Sequence, residues 1–110
     1  MSYIPSKGDI VWVEFNPQRG HEQAGHRPAL VISPYEYNKK TSLAIVVPIT
    51  SKIKGYPFEV KIKGDKIQGV ALSDQVKSLD FKARNFEFIE KADNVVIIEV
   101  MYKIKVLLGI

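Results

Sequence analysis

The sequence predicts a mainly β protein with a helical tail, a β-rich α+β chain, and three observations carry that reading. Glycine and proline recur at short intervals, at Gly8, Pro17, Gly20, Gly25, Pro28, Pro34, Pro48, Gly55, Pro57, Gly64 and Gly69. The segments between them are short, apolar and rich in β-branched residues, which is how small barrels and sandwiches punctuate their strands. Beyond residue 93 the apolar positions change to helical spacing.

Asp9-Ile10-Val11-Trp12-Val13-Glu14-Phe15 alternates as a half-buried strand. Ala29–Ser33 and Ser42–Val47 read as strands buried on both faces. Phe58–Lys63 alternates cleanly, Gly64-Asp65 turns the chain, and Gln68–Leu72 forms the next short strand. In the tail, Asn94–Val100 has the propensity of a strand, yet Ile97, Met101, Ile104 and Leu108 fall at i, i+4, i+7 and i+11, one helical stripe. Asp93 is placed to N-cap such a helix, Lys103 and Lys105 suit its negative C-terminal end, and Gly109 stands where it stops. Caps, charge order and length favour helix. With no internal repeat, low-complexity segment or linker, residues 1–110 are expected to form a single domain. At that size folding buries about two thirds of the extended chain's surface, enough for a core without metals or disulfides.

Composition narrows the function. A chain with 45% hydrophobic and 25% charged residues is not wholly disordered. The absence of cysteine excludes a disulfide scaffold, a thiolate zinc site and a cysteine nucleophile. Residues 1–9 lack a basic stretch followed by an apolar one, so no signal peptide is expected. No apolar run approaches the roughly 18 residues of a membrane helix, and a cytoplasmic protein off the membrane is expected. The net charge of +4 is uneven: residues 1–84 carry thirteen Lys and Arg against eight Asp and Glu, residues 85–110 three against four. A basic body favours an anionic partner, nucleic acid before a membrane surface.

Asn16–Arg27 is the segment where chemistry can sit, twelve residues between two expected strands. Loops that long in compact domains tend to be functional or disordered. This one holds Arg19, Arg27, His21, His26 and Glu22. An arginine offers a planar fork to phosphate oxygens, and a carboxylate nearby can take a proton from a hydroxyl. The plain alternative is a solvated polar loop with a surface ion pair.

Here the sequence resembles a known family. Gly20-His21-Glu22-Gln23-Ala24-Gly25-His26-Arg27-Pro28-Ala29-Leu30-Val31 resembles the first motif of the MazF toxins, the ribonucleases of toxin–antitoxin pairs. Val47-Pro48-Ile49-Thr50, then Lys54-Gly55-Tyr56-Pro57-Phe58-Glu59-Val60, then Gly69–Asp80 running on to Lys82-Ala83-Arg84, keep the family's order. The likeness covers roughly residues 8 to 90 and weakens in the tail. Phe81 stands where the family often has tryptophan.

The resemblance implies a small SH3-like, strongly bent β-barrel with short helical insertions and a C-terminal helix. It implies a homodimer that cuts single-stranded RNA at short sequences with no metal and no cofactor. The products would be 2′,3′-cyclic phosphates and 5′-hydroxyls. It also implies an antitoxin with an acidic, partly disordered tail, with DNA engaged only through the antitoxin complex. The gyrase-poisoning toxin CcdB shares that fold without that activity, so fold alone does not decide; a topoisomerase binder and an inactive RNA-binding barrel remain the alternatives.

By the same resemblance, Arg27 is the catalytic arginine, clamping phosphate and stabilising transition-state charge. Thr50 is the active-site threonine, its hydroxyl bonding a nonbridging oxygen. Glu22 is the candidate base, provided its surroundings raise its pKa; His21 and His26, which titrate near neutrality, are its rivals. Tyr56, Asp74, Gln75 and Lys77 match positions that contact RNA, by stacking, base-edge reading and phosphate contact. Read from the residues alone, Asp74-Gln75 is a turn or strand end and Tyr56 a half-buried aromatic beside Phe58. Trp12, Phe15 and Phe81 are expected in the core, Lys61, Lys63 and Lys66 on a solvated strand face and hairpin, and Asn38-Lys39-Lys40 in a charged turn. His21 and His26 with one Glu make a poor metal cluster, so no metal site is expected.

Overall fold

The structure, a computed structural model, describes residues 3–15 and 25–110. The apolar alternation of the first strand, β1 (Asp9–Phe15), sorts its side chains between two cores rather than between core and water. Ile10 joins one cluster, while Val11, Val13 and Phe15 join the other. The half-buried strand expected from sequence is therefore covered on both faces, because the sheet bends enough to bring Leu79, Phe81 and Phe86 over the second one.

β2 (Gly25–Val31), β3 (Leu43–Thr50), β4 (Glu59–Lys63), β5 (Gln68–Leu72), β6 (Lys77–Asp80) and β7 (Glu87–Lys91) complete a seven-stranded antiparallel sheet. Its path runs β4-β5-β3-β2-β1-β7, with β6 also on β3. Among the described residues the sheet does not close. β3 makes the bend: on one edge Leu43–Val46 pair with β6, and Ile49–Thr50 pair with β5 instead. Pro48 lies between those two pairings, where the change of partner leaves room for a residue with no N–H to donate.

Two helices finish the fold. α1 (Tyr35–Thr41) takes in Asn38-Lys39-Lys40, which is helix rather than the expected charged turn. The reason is Asn38, fully buried, whose Nδ2 donates to the carbonyls of Pro5 (2.9 Å) and Ser33 (3.2 Å) and fixes the segment against the sheet. α2 (Asn94–Leu108) starts after Asp93 and ends at Gly109 in the left-handed conformation (φ 73°), as the tail's stop signals require. Asp93 occupies the N-cap position without a side-chain cap bond. Val100 and Ile104 are the buried residues, whereas Leu108 is exposed because the last turn runs past the core. Lys103 does not serve the helix end; its ammonium donates to the carbonyls of Pro57 and Glu59 and pairs with Glu99, tying α2 to β4.

Across the molecule, the Glu90 carboxylate of β7 accepts the backbone amides of Asp65 (3.0 Å), Lys66 (3.0 Å) and Ile67 (2.8 Å). Burial works to raise its pKa, but those three amides and the charge of Lys66 prevail, and the net shift is downward from 4.5. A lowered native pKa stabilises the fold above the unfolded value, and that contribution is lost as pH falls through the native one. Solvent screens this part-exposed carboxylate, so Glu90→Gln is expected to cost only about 0.5–1 kcal/mol at pH 7. In urea unfolding the gap from wild type should shrink steadily on acidification; a gap independent of pH would contradict the carboxylate's role.

Candidate active site at the fork between β2 and β3

The ladder between β2 and β3 runs Val31↔Val46, Leu30↔Val47, Ala29↔Pro48 and stops there. β2 continues on β1 alone, with Pro28 opposite Trp12 and Arg27 opposite Val13, while β3 turns to β5. The two strands fork. Arg27 on β2 and Thr50 on β3 both lie past the last β2–β3 pair, one on each arm of the fork. Arg27 thus lies on a strand, not in the long loop assigned from sequence, and the strand supplies the rigidity a loop would lack.

A groove of about 310 Å³ opens at this fork. Trp12, His26, Arg27 and Pro28 line it from β1 and β2, Ile49, Thr50 and Ser51 from β3, and Lys66, Ile67 and Gln68 from the turn into β5. Among the described residues the lining carries Arg27 and Lys66 and no carboxylate, a surface suited to an anion. Thr50 is 6% exposed, and its Oγ1 accepts the amide of Lys52 (3.2 Å), which fixes the hydroxyl at the groove. β5 reaches Thr50 closely because residue 69 is glycine: a Cβ there would sit 2.3 Å from the Thr50 carbonyl oxygen, and its φ of +148° suits glycine alone. The Trp12 ring stacks on His26 with centroids 4.9 Å apart and planes 19° from parallel. Phe15 and Phe81 are core as expected, but Trp12 is only partly packed there and also walls the groove.

A second cluster forms where β5 leads into β6. Tyr56 donates its hydroxyl to Asp74 Oδ1 (2.8 Å), joining the segment before β4 to the turn after β5. Gln75 lies in that turn with its Oε1 buried and, among the described residues, without a hydrogen-bond partner. Lys77 opens β6 opposite Val46. None of these four lines the fork groove.

A PemK-like, MazF-like toxin family of type II toxin–antitoxin systems matches residues 6–108. The chain belongs to that family. The endoribonuclease toxin MazF of Escherichia coli (strain K12) is 56% identical over 82 residues, 74% of this chain and 74% of that protein. The crystal structure of MazF from Deinococcus radiodurans superimposes with a TM-score of 0.95 at 46% identity, covering 99% of this chain and 100% of that one. A MazE–MazF crystal structure from the same organism gives 0.89 at 46% identity, covering 99% of each.

For this MazF-like chain, then, the structure brings Arg27 and Thr50 together and joins Tyr56 to Asp74, but does not merge the two clusters. Glu22 and His21 lie outside the described residues. Sequence reasoning missed the Lys66–Gln68 wall and the stacking of His26 on Trp12. The stacking had a readable signal, since Trp12 and His26 are diagonal neighbours in the β1–β2 register; the wall had none, because a hairpin turn carries no mark of what it faces. Burial, then the hydrogen bond and negative charge of Asp74, and then Glu59, push the Tyr56 phenol above its ordinary value of 10.0. In an alkaline absorbance titration, with Tyr56→Phe used to identify its step, Asp74→Asn should move the Tyr56 ionisation downward. An unmoved step would mean that the contact does not form in solution.

Proposed function

We propose that this chain is an endoribonuclease toxin, with Arg27 and Thr50 holding the scissile phosphate of single-stranded RNA. The observation that carries the reading is the fork, where Arg27 and Thr50 line one groove to which Lys66 adds a second cation. RNA brings its own nucleophile. The 2′-oxygen attacks phosphorus, its proton passes to a base, the P–O5′ bond breaks, and the 5′-oxygen takes up a proton. A 2′,3′-cyclic phosphate and a 5′-hydroxyl result, and neither step requires a metal or cofactor. Arg27 meets the developing charge with two parallel N–H donors, and Thr50 donates its proton to a nonbridging oxygen. Glu22 is assigned as the base; its place five residues before Arg27 in the motif supports that role, with His26 on the groove wall as its nearest rival.

Tyr56, Asp74, Gln75 and Lys77 are assigned to reading the strand beyond the reacting phosphate. The exposed hydrogen-bonded pair of Tyr56 and Asp74 supports this, as it offers a ring and polar groups to a base. Residues 1–110 act as one toxin domain. Val95, Ile98, Tyr102 and Val106, all exposed, make an apolar stripe on α2, and Phe88 on β7 is half exposed; these surfaces support a homodimer. The antitoxin of this chain would present an acidic, partly disordered tail to the basic body and alone link the toxin to DNA. Among the described residues no helix is long and apolar enough to cross a membrane, and the cytoplasm is where such a toxin meets messenger RNA.

On a long unstructured RNA, cleavage should persist in EDTA and leave 5′-hydroxyl ends. A single 2′-deoxy substitution 5′ of the cut should abolish it. A strict requirement for magnesium, or 5′-phosphate products, would refute the mechanism; growth arrest with intact RNA and trapped gyrase–DNA complexes would move the chain to the topoisomerase poisons.

Single substitutions separate the roles. Arg27→Ala should lower the rate by about two to four orders of magnitude. Lys at that position restores charge without the fork geometry and should recover only part of it. Thr50→Val should cost less, and Thr50→Ser should keep most activity. If Glu22 is the base, Glu22→Gln should lower the rate by at least about 100-fold and erase the acidic limb of the pH–rate profile. A limb that persists and moves only with His21 or His26 would transfer the role to a histidine.

A further inference from the structure

Glu90 does not line the groove, yet the groove's third wall hangs from it. Three consecutive amides, of Asp65, Lys66 and Ile67, converge on its carboxylate, so the turn between β4 and β5 is wrapped around one anion. Gly64 completes the seat, since a Cβ there would lie 2.4 Å from Oε2 and 2.9 Å from the carboxyl carbon. The turn's own bond from the Gly64 amide to the Ile67 carbonyl (2.9 Å) closes it. Its residues then divide between two surfaces. Asp65 borders a cleft with Glu90, Lys91 and Asp93, while Lys66, Ile67 and Gln68 face the groove that holds Arg27 and Thr50.

We propose that Lys66 is a substrate-binding residue, meeting a phosphate next to the one held by Arg27, and that Glu90 is the positioning residue that keeps it there by clamping the turn. The inference rests on the endoribonuclease reading above. An RNA strand carries a phosphate at every nucleotide. A cation on the wall opposite β2 is therefore placed for a neighbouring phosphate once Arg27 has the reacting one. The three amides occupy the Glu90 carboxylate on the turn's inner side, and Glu90 is not among the residues that line the groove. The phosphate that Lys66 meets does not change during the reaction. Its contact is equal in ground and transition states and belongs in KM rather than kcat.

The test is steady-state cleavage by the full chain of a short single-stranded RNA spanning one mapped cut, comparing wild type, Lys66→Gln, Glu90→Gln and the double variant. Lys66→Gln, at an exposed position, should fold normally. It should raise KM about 3–10-fold with kcat within about twofold. The slope of log kcat/KM against log salt should lessen by about 0.7, the value for one phosphate contact on a single strand. Glu90→Gln should give the same pattern, and the double variant should be no worse than the more severe single one, because both act on one contact. If wild type cleaves while Lys66→Gln keeps its KM and salt slope, Lys66 does not touch the substrate. If Glu90→Gln only lowers the melting temperature and leaves KM and slope alone, its role is structural. Either result overturns the inference and spares the endoribonuclease reading. A wild-type chain that cleaves no RNA would overturn both.

Discussion

β2 and β3 cannot stay paired along their whole length, because the two ends of β3 serve different neighbours, and the site exists where that pairing gives out. A strand has two edges. One edge of β3 is divided between β6 and β5, so the strand must bend between Val46 and Ile49. The straight ladder to β2 then fails beyond Ala29 and Pro48. Prolines mark both sides of the failure. Pro48 stands at the bend, and Pro28 is the first β2 residue past the last pair with β3. Neither has an N–H, so neither leaves a donor stranded where a partner strand has departed. The pair that looks wrong for central strands is placed where a fork requires it.

Rigidity at the fork comes from the cores on the two faces of the sheet. Leu30, Val47 and Ile49 enter one cluster, and Ala29, Val31 and Val46 the other, so the residues flanking Arg27 and Thr50 are locked from both sides. A site built on such strands holds its geometry better than one on a loop. The same packing leaves the groove's third wall, the hairpin turn after β4, as the part not fixed by apolar contact alone. A polar clamp supplies what the cores do not reach, and it comes from β7, at the other end of the sheet path.

The strands and the last helix were legible because each wrote a local signal. β1 and β4 alternate, β5 is bounded by turns, and α2 has a stripe and a glycine stop, so their positions survived to within a few residues. α1 was not legible: its seven residues show no apolar stripe, and it is held by Asn38, a residue whose burial depends on Pro5, thirty-three positions away. β6 and β7 were missed as strands because each is short and displays only one buried residue. At the site, Arg27 and Thr50 were recognisable through motif resemblance, but their juxtaposition was not. It follows from the fork between two strands, which no single segment encodes. Glu90 carries no motif either, since its partners lie twenty-three to twenty-five residues away and are backbone amides, which every sequence possesses.

Charge brings a strand to this groove but does not choose it. Arg27 and Lys66 attract any polyanion over a Debye length of about 8 Å at physiological salt, and the acidic antitoxin tail proposed above would answer the same field as RNA. DNA answers it too. Discrimination must therefore arise in two other places. One is chemistry: on the proposed mechanism only a 2′-hydroxyl beside the scissile phosphate completes the reaction, so DNA that binds would not be cut. The other is polar fit. A base edge that pairs with exposed polar groups such as the Tyr56–Asp74 pair would be favoured over one that leaves them without partners. On that proposal attraction and selection are separate functions, and the fold keeps the two clusters apart, one at the β2–β3 fork and one at the turn between β5 and β6.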